Sequence, residues 1–231
     1  MKTGKVGKRT RLILIEGDDV SSKEKQTKLL VNQLRKEKYT VANISFPYYI
    51  QTFTESFNGK PETRFSPFDY SEVYKDEAKT FCTSKGEDFA SCLEALIKEN
   101  DIVVFDRYIE SNLLFYGSQI LMDIDKINFA HYLFNAEYKI SKMPKLSDVV
   151  YLSVPWSLMH KRFLLKNPHI DTSSEQVKND IEAIKKQYES GNFYSKLLEW
   201  KMVSCVSDFR DLSEEEVHNH IMALLGFRCH I

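Results

Sequence analysis

The sequence predicts a single α/β domain with a five-stranded parallel sheet and helices on both faces. Three continuous apolar runs of strand length, residues 12–15, 102–105 and 149–152, show no polar alternation. Such runs are typical of strands that helices cover on both sides. Longer amphipathic stretches separate them, so strands and helices alternate along the chain. A length of 231 residues suits one domain of this class, spanning residues 1–231.

Two weaker strands complete the predicted sheet, at residues 40–46 and 201–206. Helical patterns occupy residues 24–38, 71–99 and 109–140 in the gaps between strands. Strand-helix-strand crossovers are right-handed and leave the carboxyl ends of the strands at one edge. Ligands of such folds bind at that edge, so we expect the functional residues there.

Two capping boxes indicate where the last two helices begin. Thr172 and Glu175 have the spacing of such a box, and so do Ser213 and Glu216. The first helix carries these apolar residues on one face: Val177, Ile181, Ile184 and Tyr188. The predicted inward positions of the second helix are Val217, Ile221 and Leu224.

Composition and charge argue against several classes of protein. The formal net charge is -1, which provides no general surface for nucleic acids. No apolar run reaches the length of about 18 residues that a membrane helix needs. The start of the chain lacks the apolar stretch of a secretory signal, so we expect a cytoplasmic protein, with the nucleus as the alternative. Residues 1–10 are expected to form a solvated basic tail rather than an address signal. The four cysteines are expected to be free thiols.

A candidate phosphate-binding loop follows the first predicted strand. Residues 16–26 read E-G-D-D-V-S-S-K-E-K-Q and lie where a strand ends and a helix begins. Free N–H groups at a helix N-terminus attract anions, so a phosphate site belongs there. Gly17 and Lys23 occupy their places in the pattern G-x-x-x-x-G-K-[ST]. Taken by itself, this segment favours an ordinary strand-turn-helix, and its position after the first strand together with the motifs downstream reverses that preference.

Two positions of this loop depart from the pattern. Ser22 replaces the second glycine and adds a side chain where the backbone must approach phosphate, or where a positive φ is needed. Glu24 replaces the hydroxyl that shares Mg²⁺, and its carboxylate can bind magnesium but also repels phosphate. We therefore expect weaker ATP binding than an unaltered loop provides, unless bound metal offsets the charge.

A second motif, D-R-Y-I-E-S-N-L-L-F-Y-G, begins at the end of a buried strand and covers residues 106–117. Asp106 is a candidate metal ligand or a partner for the loop lysine. Arg107 offers a bidentate fork for an acceptor phosphate. Ser111 can hydrogen-bond to a phosphate or a base. The alternative for the first two residues is a salt bridge at the end of the strand.

Together, the two motifs resemble those of thymidylate kinases, a family of P-loop nucleoside monophosphate kinases. The family loop reads E-G-x-D-G-x-G-K-[ST]-T-Q, and this chain keeps Glu16, Gly17, Asp19, Lys23 and Gln26. The family's second motif reads D-R-Y-x-x-S-x-x-A-Y-Q-G, and this chain keeps Asp106, Arg107, Tyr108, Ser111 and Gly117. The resemblance extends from residue 12 to the last helix. It implies a kinase fold with an altered phosphate loop.

A binding site for dTMP follows from the resemblance. Phe46 and Pro47 correspond to a pair that lines the thymine pocket. Phe81 would stack on the base, and Lys85 replaces an arginine that reads it. The other implied substrate contacts are Asp19 with the sugar 3′-hydroxyl, Arg107 with the phosphate, and Tyr108, Ser111 and Tyr188. Core packing is the alternative for the aromatic residues, because aromatic side chains are readily buried for their area alone.

ATP and Mg²⁺ are the cofactors that the resemblance implies. ATP would lie over Gly17, Asp18, Asp19, Val20, Ser21, Ser22, Lys23 and Glu24, and Glu24 or Asp106 would hold the metal. The implied catalytic residues are Lys23, Asp106, Arg107, Arg162 and Lys166, the last two serving a lid over about residues 163–175. Ordinary solvated helix positions are the alternative for these last two cations.

The implied reaction transfers a phosphoryl group from ATP to dTMP, giving dTDP and ADP on the way to dTTP, in a homodimer. One alternative is a related kinase for another nucleotide or a nucleoside. The other is a kinase-shaped protein of little activity that binds a ligand or partner, and the altered loop motivates it.

Overall fold

The computed structural model describes residues 9–18, 20–45, 89–140, 142–169, 171–207 and 210–228. Predicted features elsewhere, such as the first eight residues of the basic tail, lie outside the described residues. None of the helices in the described ranges has both the length and the hydropathy of a membrane span.

Five parallel strands form the central sheet, in the order β2-β3-β1-β4-β5. They are β1 Arg11–Glu16, β2 Val41–Ser45, β3 Ile102–Asp106, β4 Asp148–Ser153 and β5 Lys201–Ser204. The predicted parallel five-stranded sheet is therefore confirmed. In its register, Ile15 of β1 lies opposite Asp106 of β3, so the ends of these two neighbouring strands meet at one edge.

Helices connect the strands and cover both faces of the sheet. They are α1 Lys23–Lys36, α2 Phe89–Glu99, α3 Ser111–Phe115, α4 Asp123–Phe134, α5 Trp156–Lys166, α6 Glu175–Leu197 and α7 Glu214–Leu224. A 3₁₀ turn spans Gly117–Gln119, and a π-helical turn spans Asn135–Ile140. Two short antiparallel strands, β6 Val206–Ser207 and β7 Arg210–Asp211, follow β5.

Alternate residues of the strands enter two separate apolar layers. Ile13 and Ile15 of β1 pack with side chains of α1, α5 and α7 on one face. Leu12 and Leu14 pack with side chains of α2, α3, α4 and α6 on the other. Burial at about 25 cal/mol per Å² of apolar surface makes both layers stabilising. The continuous apolar runs of the sequence reflect this two-sided burial.

The capping box predicted at Thr172 and Glu175 is wrong. Ser174 caps α6 instead, with its Oγ accepting a hydrogen bond from the Val177 N–H at 3.3 Å. The Asp171 carboxylate binds the N–H and hydroxyl of Ser173, and this local turn delays the start of the helix. The second predicted box is confirmed, because Ser213 and Glu216 exchange both hydrogen bonds at the start of α7.

Two further boundaries differ from their predictions. Leu224 is 43% exposed, and Leu225 takes the inward position four residues after buried Ile221. Strand β5 ends at Ser204, two residues earlier than expected. Val206 leaves the main sheet because it pairs with Asp211 across the small β6-β7 ribbon.

Candidate functional site

The candidate site lies at the carboxyl edge of the sheet, where β1 and β3 end side by side. The loop between β1 and α1 supplies residues 17–22, and the segment after β3 supplies residues 107–111. Lys23 and Arg107 therefore belong to the same edge, as the sequence predicts. This is the edge at which ligands bind in open parallel sheets.

Close packing and local hydrogen bonds shape the loop after β1. A Cβ added at Gly17 would lie 2.6 Å from the Ser21 Oγ and 3.2 Å from the Leu152 carbonyl oxygen, so only glycine fits. The Asp18 carboxylate accepts the Val20 N–H at 2.8 Å. The carbonyl oxygen of Asp18 accepts both the N–H and the hydroxyl of Ser21. These bonds turn the chain directly into α1.

Ser22 caps α1 in the left-handed conformation, with φ 64° and ψ 27°. Glycine adopts this region without a Cβ penalty, whereas another residue loses about 1–2 kcal/mol there. The positive φ expected at this position is thus present, and serine accommodates it. The Ser22 side chain makes no capping hydrogen bond.

Lys23 is held inside the loop and is only 6% exposed. Its Nζ donates to the Gly17 carbonyl oxygen at 3.0 Å and to Oε1 of Glu16 at 3.3 Å. An ammonium has three N–H donors, so these bonds use two of them. The third has no acceptor within the described ranges and can serve a phosphate oxygen.

Glu16, at the end of β1, joins three segments of the site. Its Oε1 accepts the Gly17 N–H at 2.9 Å as well as the Lys23 ammonium. Its Oε2 accepts the hydroxyl of Ser111 from the segment after β3. The residue is 1% exposed. No role for Glu16 was predicted from the sequence, although an acidic residue at the end of an apolar strand was a signal that could have found it.

Glu24 lies on the outer side of α1, away from these contacts. Its carboxylate pairs with Lys28 one turn later, and both side chains are largely exposed. The hydrogen bond and charge of Lys28 lower the pKa of Glu24. The carboxylate that replaces the magnesium-binding hydroxyl therefore points to solvent in this conformation.

The segment after β3 presents one carboxylate and one guanidinium. Asp106 is half-buried, and its side-chain carboxylate forms no hydrogen bond or ion pair within the described ranges. Arg107 adopts a φ of 69°, in the left-handed region that non-glycine residues seldom occupy. Tyr108 is 2% exposed, and its hydroxyl donates to the Pro144 carbonyl oxygen. Tyr108 thus anchors the segment to the core.

The two predicted lid cations occupy different environments. Arg162 donates to the Val20 carbonyl oxygen and to Asp211, both at 3.0 Å, so it ties the loop to β7. Lys166 is exposed at the last residue of α5. Tyr188 is half-buried against the apolar layer beneath the loop. The predicted lid comprises the last turn of α5 and the connection to α6.

This geometry agrees with the family relationship. The thymidylate kinase family model matches residues 15–221, which includes the whole sheet edge described above. The chain belongs to the thymidylate kinase family.

A curated relative gives a weaker match within the same family. A thymidylate kinase of an Exiguobacterium species is 25% identical over 115 residues, which is 50% of this chain and 52% of that protein. The chain therefore aligns with about half the length of this thymidylate kinase. An identity this low supports the family and leaves the choice of substrate to be argued from the site.

Five predicted site residues lie outside the described residues: Asp19, Phe46, Pro47, Phe81 and Lys85. They include the predicted stacking partner of the base, its predicted lysine contact and the predicted contact to the sugar 3′-hydroxyl. The thymidylate kinase pattern at these positions stays a prediction. The described site thus contains the phosphate-handling half of the predicted pocket.

Asp106 fits a role in magnesium binding better than Glu24 does. Mg²⁺ in phosphoryl-transfer sites is held by one or two carboxylates together with phosphate oxygens and water. Asp106 offers such a carboxylate at the edge where phosphates would bind. No cluster of three or more His, Cys, Asp or Glu side chains able to hold a metal occurs in the described residues. The phosphates would then supply most of the ligands.

A second buried carboxylate lies next to the site. Glu110 precedes Ser111 and is 5% exposed, and Tyr138 of the π-helical turn donates a hydrogen bond to its Oε1. Burial, with a smaller contribution from the negative charge of Glu16, raises the pKa of Glu110 to about 7. The sequence analysis missed Glu110, because its position in the second motif is variable.

Proposed function

We propose that this protein transfers the γ-phosphoryl group of ATP to dTMP, giving dTDP and ADP. The observation that supports this most directly is the juxtaposition of two elements at one sheet edge. One is the loop from Gly17 to Lys23 at the start of α1, and the other is the segment after β3 that begins with Asp106 and Arg107. Phosphoryl transfer depends on positioning and on neutralising charge, and these elements offer both.

ATP would bind over the start of α1. The N–H groups of Ser22, Lys23 and Glu24 find no acceptor within the described ranges, so they remain available to phosphate oxygens. The Val20 carbonyl oxygen, which lies four residues before Glu24, is occupied by Arg162. The helix dipole adds partial positive charge at the same point. Lys23 would contribute its remaining N–H to the transferred phosphate.

The acceptor phosphate of dTMP would bind the guanidinium of Arg107. A planar fork suits a phosphate better than the single ammonium of a lysine does. Thymine would lie between Phe46 and Phe81, and Asp19 would bind the 3′-hydroxyl. These three roles are inferred from the family pattern.

Magnesium bound with ATP would neutralise phosphate charge during transfer, with Asp106 as its protein ligand. The chain's own residues complete the arrangement. Lys23 and the α1 amides hold the donor, Arg107 holds the acceptor, and Lys166 spreads charge from the lid. Arg162 keeps the loop in place through Val20. We also propose a homodimer on the family pattern, which analytical ultracentrifugation would test.

One observation favours a second candidate, a kinase-shaped protein of little activity. The loop has no hydroxyl at position 24, and the carboxylate there turns away to Lys28. Such a protein would bind a nucleotide or a partner without rapid turnover. A kinase for another nucleotide differs from the main proposal only at the base pocket, where Lys85 replaces an arginine.

A coupled assay for ADP release, run with ATP and each common nucleoside monophosphate, separates these candidates. We expect turnover with dTMP above that with the others. The double variant Ser22→Gly with Glu24→Thr restores the standard loop and serves as the comparison. Turnover in the double variant alone would support the second candidate. Equal turnover with several monophosphates would contradict the assignment of dTMP.

A further inference from the structure

We propose that Glu16 is a positioning residue that aims the Lys23 ammonium and couples the phosphate loop to the segment after β3. This inference deepens the proposed function and rests on it for the role of Lys23. Glu16 itself touches neither reacting group. It acts through the side chains that it holds.

The Glu16 carboxylate accepts hydrogen bonds through both of its oxygens. Oε1 of Glu16 faces the Lys23 ammonium at 3.3 Å and the Gly17 N–H at 2.9 Å. Oε2 receives the Ser111 hydroxyl. Three donors, one from the backbone and two from side chains, thus meet at a group that is 1% exposed. A buried carboxylate is retained only where such partners stabilise its charge.

A second feature is the direction of the Lys23 side chain. A lysine has four flexible carbons and loses up to about 2 kcal/mol of rotamer entropy when it is fixed. Lys23 is fixed by the protein itself, because the Gly17 carbonyl oxygen and Glu16 hold its ammonium inside the loop. Preorganised charge of this kind costs no further reorganisation during reaction. Glu16 therefore aims the ammonium while leaving one N–H for phosphate.

A third feature is the pair of hydrogen bonds made by Ser111. Its hydroxyl donates to Glu16, and its oxygen already accepts the Tyr108 N–H at 3.0 Å. Ser111 therefore links the segment that carries Arg107 to the carboxylate that holds Lys23. Movement of one phosphate-binding group is transmitted to the other through two hydrogen bonds. The donor and acceptor subsites are coupled by Glu16.

A labelling experiment on the full chain tests this proposal without nucleotide. The amine-reactive reagent sulfo-NHS-acetate is applied to the wild type, Glu16→Gln and Ser111→Ala, and modification of each lysine is followed by peptide mass spectrometry. Glu16→Gln removes the anionic partner of Lys23. It also places an amide N–H₂, which is itself a donor, where the carboxylate accepts hydrogen bonds. We expect Lys23 to label about tenfold faster, a change equivalent to about 1.4 kcal/mol. Ser111→Ala should give a smaller increase.

Two lysines provide matched controls. Lys25 is exposed on the same helix and should label at an unchanged rate in every variant. Lys126 is only 14% exposed on α4, away from the site, and reports general loosening of the fold. Equal acceleration of Lys23 and Lys126 in Glu16→Gln would mean that Glu16 only stabilises the protein, which overturns the proposal.

The remaining outcomes are equally decisive. An unchanged Lys23 rate in Glu16→Gln overturns the positioning role. An unchanged rate in Ser111→Ala overturns the coupling, and that variant decides the matter if Glu16→Gln does not fold. In the kinase assay, Glu16→Gln should lower kcat more than it raises KM for ATP. Absence of phosphoryl transfer in the wild type would reject the proposed function, whereas the labelling result would stand by itself.

Discussion

At the scale of single residues, Ser22 carries a backbone strain that glycine would remove. Its φ of 64° lies in the left-handed region. We predict that Ser22→Gly raises the free energy of unfolding by about 1 kcal/mol, because glycine adopts this region without a Cβ penalty. It should also tighten ATP binding, since phosphate approaches the same backbone. Urea unfolding and calorimetry with ATP measure the two effects.

Lys38 offers a matched control for that change. It follows α1 with a φ of 68°, far from the loop. Lys38→Gly should give a similar gain in stability and no change in ATP affinity. A gain in affinity in both variants would show that the effect at Ser22 is global rather than local.

For Gly17 we predict the opposite effect, a loss of stability on substitution, because there is no space for a side chain. A Cβ would lie 3.2 Å from the Leu152 carbonyl oxygen, a backbone atom that cannot easily move. Gly17→Ala should lower the free energy of unfolding by about 1–3 kcal/mol through overpacking and should reduce ATP binding. Gly226→Ala is the control, since its Cβ meets nothing within 4 Å and only its φ of +72° is strained. Equal losses in both variants, measured by thermal unfolding, would contradict the packing argument.

The sequence predicted which residues lie at the site better than it predicted which side chains bond to one another there. Lys23 and Arg107 were predicted at one edge because strand ends and motif spacing determine where the backbone goes. The bonds of Glu16 were not predicted, because a pairing between positions 16 and 111 depends on the register of two strands. Tyr108 was expected to contact substrate, and that stays a prediction; its hydroxyl bond to Pro144, which anchors the segment, was not foreseen. Side-chain direction decides such roles, and the motif does not encode it.

At the scale of elements, the π-helical turn after α4 holds two buried carboxylates. Glu137 lies within the turn, and Glu110 receives the hydroxyl of Tyr138 from it. Burial raises the pKa of both carboxyl groups to about 7. π-helical turns often occur next to functional sites, and this one contacts the residue before Ser111.

We predict that these carboxyls make the protein less stable as pH rises. Their unfolded pKa is 4.5, so below that pH both states are protonated and the full stability is present. Between 4.5 and about 7 the unfolded state loses its protons first, and stability falls until the folded pKa is passed. The loss is up to about 3 kcal/mol for Glu110.

Glu110→Gln tests this assignment through the difference in pH slope from the wild type. In the variant, the free energy of unfolding should fall less steeply with pH, because Glu110 no longer contributes to the slope and only Glu137 does. Glu216→Gln is the control, because Arg210 lowers the pKa of Glu216 to about 2 and its contribution is lost only as pH falls below 4.5. Urea unfolding at steps between pH 4.5 and 8 provides the data. An identical slope in Glu110→Gln and the wild type would show that Glu110 does not titrate as stated.

Element boundaries were predicted less well than the elements themselves. The helix before residue 175 begins late because Asp171 and Ser173 form a competing turn. Strand β5 ends early because Val206 pairs in a second ribbon. In both cases other partners compete for the backbone hydrogen bonds of a few residues. The periodicity of hydrophobic residues in the sequence does not reveal such competition.

For the molecule as a whole, the succession of apolar runs and amphipathic helical stretches along the chain was sufficient to predict the sheet. Two-sided burial of β1, β3 and β4 required helices on both faces, and the long helical connections between successive strands indicated parallel strands. The order β2-β3-β1-β4-β5 was not predicted, because periodicity carries no information on which strands are neighbours. The base pocket, expected from Phe46 and Phe81, belongs to residues 46–88 outside the described ranges and stays a prediction.

The last prediction concerns the response of the whole molecule to its substrate. A ligand that binds only the folded state stabilises it by about 2.7 kcal/mol at a hundredfold excess over Kd. We expect dTMP to raise Tm more than the other nucleoside monophosphates do at equal concentration. Arg107→Ala should reduce this shift, because a charge-assisted hydrogen bond worth about 1.5–3 kcal/mol is lost.

Lys98→Ala is the matched control for the loss of a cation. Lys98 is exposed at the end of α2, just before β3 begins, so it lies at the opposite edge of the sheet. Its variant should keep the full shift with dTMP. If Arg107→Ala also keeps the full shift, the acceptor phosphate binds elsewhere and the assignment of Arg107 is wrong. If Arg107→Ala loses the shift and the wild type responds equally to every monophosphate, the phosphate subsite is correct and the choice of thymine is not.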